Sequence, residues 1–146
     1  MINKKRKRKI VAVSGGFDPV HVGHVRMIKE AAKLGDVIII TNSDTWLKRK
    51  KGYVFMPWIE RQEILAEFKG VIDVIEAWDE DDTVCKTLER VKPDIFANGG
   101  DRKGDNTPEV QLCQDLDIEL KWNIGGDKIQ SSSELVEKMK HLKEKQ

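Results

Sequence analysis

Five short apolar runs recur along the chain, each followed by a segment of helical character. They are "IVAVSG" (Ile10 to Gly15), "DVIIITNSD", "VIDVIEAW", "DIFANGGD" and "IELKWNIGG". Strands buried on both faces read as such near-continuous apolar runs. Between them lie helix signals. From Val22 to Leu34, residues Val25, Ile28, Ala32 and, less strictly, Leu34 mark one helical face that Gly35 stops. Pro57 suits the first turn of "PWIERQEILAEFKG", and Asp82 or Thr83 is the expected cap of "DDTVCKTLERVKP". "TPEVQLCQDLD" and the amphipathic "SSSELVEKMKHLKE" complete the set, the latter opening on three candidate caps. The stretch "LKRKKGYVFMP" after the second strand reads as a basic loop. Strands of this kind, each separated by a helix, require a parallel sheet covered on both sides.

The length of 146 residues fits one domain. We expect a basic tail over residues 1–9 and a single domain over 10–146. Lys and Arg number 26 against 25 Asp and Glu, so net charge gives no support to general nucleic-acid binding. The "KKRKRK" run (Lys4 to Lys9) reads as a solvated tail before the first strand. No run of 18 apolar residues exists and no signal-peptide core follows the basic start, so a soluble, cytoplasmic protein without a membrane partner is expected. Cys85 and Cys113 lack CxxC spacing and read as reduced apolar residues.

Ligands of open parallel sheets bind beyond the carboxyl ends of the strands. The five segments there, "GGFDPVHVGH", "NSDTWLKRKKG", "AWDEDDT", "NGGDRKGDNTPE" and "GGDKIQSSS", are all rich in Gly, His, Lys, Ser or Asp. In the first, Gly15 and Gly16 let the backbone approach a ligand, and a helix start offers free N–H groups to an anion. His21 and His24 stand one turn apart and can face one spot, with Gly23 leaving the space above the helix start open. A phosphate site is the favoured reading. A metal site would need a third ligand such as Asp18, and ordinary polar surface is the remaining alternative. Arg61 projects on the same side of its helix as Leu65 and Phe68, so a cation points inward. Either a phosphate partner or an internal salt bridge would account for it. Asp101 and Arg102 could shape a base or acceptor pocket beside Gly100, whereas Asp36 and Asp44 read as plain strand-end or loop residues.

"GGFDPVHVGH" resembles the G-x-F-D-x-x-H-x-G-H signature of the HIGH-motif nucleotidyltransferases, the cytidylyltransferase-like superfamily. "KIQSSSELV" resembles that superfamily's second motif, a helix start whose hydroxyl and N–H groups bind nucleotide phosphates. Nearly the whole chain after Lys9 takes part, including "NSD", "LKRKKG", "ERQEIL", "EDDT" and "KPDIFANGGD". Within the superfamily the chain most resembles the adenylyltransferase domain acting on heptose 1-phosphate, then glycerol-3-phosphate cytidylyltransferase. The resemblance implies a Rossmann-like, doubly wound five-stranded parallel sheet with helices on both faces. It implies transfer of a nucleoside monophosphate from a nucleoside triphosphate, ATP favoured, to a phosphorylated small-molecule acceptor, with Mg²⁺ held mainly by phosphates. A cytidylyltransferase acting on a polyol phosphate, or a nucleotide-binding protein without turnover, are the alternatives. By the same resemblance His21, His24 and Lys51 are the catalytic candidates. Gly15, Gly16, Phe17, Asp18, Gly23, Lys48, Arg61, Gly100, Asp101, Ser131, Ser132 and Ser133 are the nucleotide-binding candidates. Related enzymes are commonly dimers, which leaves a homodimer open.

Overall fold

A computed structural model describes residues 8–99, 107–126 and 131–144. Gly100, Asp101 and Arg102, and most of the basic tail, lie outside the described residues. The strands β1 (Ile10–Gly15), β2 (Asp36–Thr41), β3 (Val71–Glu76), β4 (Ile95–Ala97) and β5 (Glu119–Lys121) form one sheet in the order β3-β2-β1-β4-β5. Every pairing is parallel. The helices are α1 (Val22–Ala31), α2 (Asp44–Lys51), α3 (Trp58–Ala66), α4 (Cys85–Val91), α5 (Pro108–Asp115) and α6 (Ser132–Glu144).

The period of two along each strand divides the core into two layers. Val11, Val13, Val37, Ile39, Val74, Ile95 and Ala97 pack with Ile28 and Ala31 of α1 and Leu65 of α3. Ala12, Ile40 and Phe96 pack on the opposite side with Leu88 of α4 and Cys113 of α5. The sheet is thus covered on both faces, and β1 at its centre carries Val11, Ala12 and Val13 with no exposed surface. The strand order reverses direction beside β1, so the switch point falls at the Gly15–Gly16 end.

Three local expectations need correction. The stretch after β2 is helical: Ser43 Oγ accepts from Trp46 N at 3.0 Å, and Gly52 at φ 86° ends α2 with its N–H on Lys48 O. Leu47 alone is fully buried in that helix, so its capping signals were stronger than its apolar period. In α1 the buried positions are Ile28 and Ala31, Val25 is exposed, and the helix ends at Ala31. Neither Asp82 nor Thr83 is the N-cap of α4. Val84 holds that position without a side-chain bond, and the Asp79 carboxylate instead accepts from the N–H groups of Lys86 and Thr87 at 2.7 and 3.1 Å.

Candidate active site

A cleft of about 380 Å³ opens at the carboxyl end of the sheet, where the chain leaves β1, β2 and β4. It gathers Gly15, Gly16, Phe17, His21, Gly23, His24, Lys51, Ser131, Ser132 and Ser133 from the sequence-derived set. It also brings in Asn42, Trp46, Asn98 and Glu109, which sequence reasoning did not single out. Asp18, Lys48 and Arg61 do not line it.

The two histidines are locked by the start of α1. His21 is the N-cap, and its Nδ1 accepts from Gly23 N at 3.1 Å. His24 Nδ1 in turn accepts from His21 N at 3.1 Å, so the pair forms a reciprocal capping box. An imidazole nitrogen that accepts carries no proton, so in each neutral ring Nε2 holds the hydrogen and is the donor. The rings stack with centroids 3.8 Å apart and planes at 24°, and Phe17 packs against His24 at 4.6 Å. A Cβ on residue 23 would lie 2.9 Å from Cε1 of His21, so glycine there lets the ring lie against the backbone.

Burial, then the neighbouring His21 and Lys51, push the His24 pKa down from 6.5 to about 3. His24 is therefore a neutral Nε2–H donor at physiological pH. Its NMR signals should stay fixed from pH 8 to pH 5, with the ¹⁵N pattern of a ring protonated at Nε2; a titration step near pH 6.5 would refute this. The linkage has a definite sign. The folded pKa lies below the unfolded one, so between about 6.5 and 3 the unfolded chain holds the extra proton, and stability on this account falls as pH falls through that window.

Two helix N-termini meet here. Besides α1, the start of α6 reaches the cleft, with Ser131 Oγ accepting from Glu134 N at 3.4 Å. The Ser132 hydroxyl donates to Pro19 O at 2.7 Å and pins this start to the loop before α1. Converging N–H groups and aligned peptide dipoles favour an anion. Lys51 adds the cation. Within "KRKK", Arg49 and Lys50 instead pair with Asp82 at 3.5 and 3.0 Å. The Lys50 hydrogen bond and charge hold the Asp82 carboxyl below its usual range. Among the described residues no group of three or more His, Cys, Asp or Glu side chains could hold a metal ion, and Asp18 turns both its oxygens to the backbone N–H groups of Phe55 and Met56.

Asp18 and Arg61 serve the frame of the cleft. Asp18 is fully buried, and its two oxygens accept from the N–H groups of Phe55 and Met56, holding the loop between α2 and α3 against the first motif. Arg61 is fully buried too. Its guanidinium donates to Met56 O at 2.9 Å, to Gly16 O and Asn42 O at 2.8 Å each, and to Asp44 Oδ1 at 2.6 Å. With four of its five N–H donors used in this way and no share in the cleft lining, its internal salt bridge, rather than a phosphate, accounts for the inward cation. Asp44, read from sequence as a loop residue, is its partner and also accepts from Trp58 N at 2.8 Å.

A parallel α/β sheet whose carboxyl-end cleft joins two helix N-termini, a pair of interlocked imidazoles and a lysine defines a Rossmann-like α/β protein with a phosphate-type anion site. The chain belongs to the cytidylyltransferase-like family, whose sequence profile matches residues 12–143. It is similar to the Bifunctional protein HldE of Nitratiruptor sp., 37% identical over 115 residues, which cover 77% of this chain and 24% of that protein. The HldE of Citrifermentans bemidjiense is 35% identical over 139 residues, 92% of this chain and 28% of its own length. The chain thus spans about a quarter of the length of these relatives. Among solved structures, the lipopolysaccharide core biosynthesis protein from Thermoplasma volcanium matches with a TM-score of 0.63 at 30% identity, over 79% of this chain and 93% of that one. Among the described residues, no helix is long and apolar enough to cross a membrane.

Proposed function

We propose that this domain transfers a nucleoside monophosphate, from ATP in preference to other triphosphates, to the phosphate of a phosphorylated sugar such as heptose 1-phosphate. The observation that carries the reading is the pair of interlocked imidazoles beside Lys51 and two helix N-termini in one cleft. The relatives, the Bifunctional protein HldE and a lipopolysaccharide core biosynthesis protein, support a sugar phosphate as acceptor.

The reaction needs no covalent enzyme intermediate. An acceptor phosphate oxygen forms a bond to the α-phosphorus, the bond from that phosphorus to the bridging oxygen breaks, and pyrophosphate leaves with the electron pair. The residues supply alignment and charge stabilisation. The His24 Nε2–H, with that of His21, donates to the α-phosphoryl oxygens as their charge grows. Lys51 and the start of α6 at Ser131–Ser133 hold the β- and γ-phosphates. Mg²⁺, bound by the phosphate oxygens, would add charge neutralisation; the described residues offer no carboxylate cluster to hold it by themselves.

Thermal unfolding with Mg²⁺ and each of ATP, CTP, GTP and UTP tests the reading. A ligand at 100 times its Kd stabilises by about 2.7 kcal/mol, which moves the midpoint of a domain of this size by roughly 5–10 °C. We expect the largest shift with ATP, followed by pyrophosphate release when heptose 1-phosphate is added. A shift with CTP alone would move the acceptor to a polyol phosphate. No shift with any triphosphate would overturn the phosphate site.

A further inference from the structure

One side chain in the cleft is buried, polar and incompletely paired. Asn98 follows β4, is 7% exposed and lines the cleft. Its Nδ2 donates toward Phe96 O at 3.4 Å and Lys121 O at 3.5 Å. These two carbonyls fix the amide orientation, since Oδ1 in the same place would set oxygen against oxygen. Oδ1 is then the remaining polar atom, and it accepts no hydrogen bond from the described residues. Among the described residues no buried side-chain polar atom lacks a partner, so Oδ1 opens into the cleft, where a ligand's donor can reach it.

Its surroundings indicate which part of a nucleotide reaches it. Met27 lies one turn beyond His24 on α1, so His21, His24 and Met27 form one line along the cleft wall. The cleft that offers a phosphate site at the histidines thus continues to Met27, where the rest of a nucleotide can lie. There the wall turns apolar and flat. Ile124, Gly125 and Gly126 line it, and the 124–126 segment lies so close to α1 that a Cβ on residue 125 would sit 2.8 Å from Met27 Cα. The Gly125 N–H is held by Glu30 Oε2 at 2.8 Å. Asn98 stands beside this wall, because Ile124 N donates to Asn98 O at 2.9 Å and Asn98 N donates to Lys121 O at 2.8 Å. An apolar, glycine-flattened slot with a single amide at its edge suits a planar heterocycle read along one edge.

We propose that Asn98 determines base choice, its Oδ1 accepting a hydrogen bond from the exocyclic amine of an amino base, adenine or cytosine. This rests on the nucleotide-transfer reading given above. Guanine and uracil present a carbonyl oxygen at the corresponding edge, which would meet Oδ1 lone pair to lone pair.

Calorimetric titration of the protein with Mg²⁺ and inorganic tripolyphosphate, ATP, CTP, GTP or UTP separates the two ideas. We expect ATP, CTP or both to bind at least about tenfold more tightly than GTP and UTP, the scale of one lost buried hydrogen bond. In Asn98→Leu this preference should shrink to within roughly threefold while tripolyphosphate binds as before. For a test without a variant, the wild-type protein should bind the analogue of ATP lacking the 6-amino group about tenfold more weakly than ATP. That comparison decides the matter if Asn98→Leu fails to fold. The proposal is overturned by an equal or keto-base preference in the wild type, by a preference that survives Asn98→Leu, or by undiminished binding of the analogue that lacks the 6-amino group. Failure of tripolyphosphate and all four nucleotides to bind would overturn the nucleotide site itself.

Discussion

Replacing His24 by Asn should leave the protein folded and lower kcat for pyrophosphate release by a factor of about 10² to 10³, the usual cost of one donor aimed at developing transition-state charge. Asn is the informative substitution because His24 has two jobs on two nitrogens. Nδ1 accepts from His21 N and helps cap α1, a task that the Oδ1 of Asn, branching from the same carbon, can continue. The Nε2–H has no counterpart in Asn. His24→Ala removes both and should show the same loss of turnover plus about 1 kcal/mol of stability, the common worth of a cap. His24→Gln, which extends an N–H₂ group to about the reach of Nε2, should recover part of the rate. KM should change less than kcat, since the bond strengthens as charge grows on the α-phosphoryl oxygens. Single-turnover assays with the triphosphate and sugar phosphate check this. Near-normal turnover in His24→Asn would remove His24 from the catalytic machinery.

That the donor is a neutral ring follows from packing. An imidazolium would attract phosphate more strongly over distance, but His24 lies between His21, Phe17 and the Lys51 charge, where a second positive charge is disfavoured. On the proposed reading the labour divides sensibly: Lys51 would carry the formal charge, and His24 would supply a directed bond whose strength does not change as the pH crosses neutrality.

How much of this was legible depended on the range of the interaction. The strand and helix order was readable because burial on both faces leaves its mark within six or eight consecutive residues. In sequence α2 resembles a loop because only Leu47 is fully buried in it, so the apolar period carries no signal although Ser43 and Gly52 bracket it. The first motif brought Gly15, Gly16, His21, Gly23 and His24 to one cleft because they are close in sequence and sit at a strand-to-helix turn. Asp18 belongs to the same motif, yet its partners Phe55 and Met56 are 37 and 38 residues away. Nothing local distinguishes a carboxylate that meets a ligand from one that ties down a distant loop. Asn98 was hidden differently. In "NGGD" the glycines drew the reading, while the significance of the Asn depends on the carbonyls of Phe96 and Lys121 that orient its amide.

Arg61 is where sequence reasoning went furthest and stopped for a clear reason. The helical period put a cation on the inward face of α3, and the structure buries it completely; the choice between ligand and salt bridge needed the position of Asp44, seventeen residues earlier. The consequence for stability is large. Arg61→Met preserves much of the side-chain volume but removes bonds to Met56 O, Gly16 O, Asn42 O and Asp44. Three backbone carbonyls then lose a charge-assisted partner, and each orphaned group costs about 1–3 kcal/mol. Asp44, whose side chain is 45% exposed, can turn to water and recover part of its loss. We therefore expect a destabilisation of about 3–5 kcal/mol, the range for breaking a buried ion pair, and a fall in unfolding midpoint of roughly 10 °C. Arg61→Lys keeps the charge but reaches fewer acceptors, and should fall between wild type and Arg61→Met. Gly16 and Asn42 border the cleft, so the Lys variant, where it remains folded, should also bind the triphosphate more weakly. Asp44→Asn should cost less than Arg61→Met, because Oδ1 can still accept from Trp58 N and Arg61 retains its three carbonyls. Thermal unfolding of the three variants gives the comparison, and an Arg61→Met midpoint within about 2 °C of wild type would mean that burial around the guanidinium, rather than its hydrogen bonds, carries the fold here.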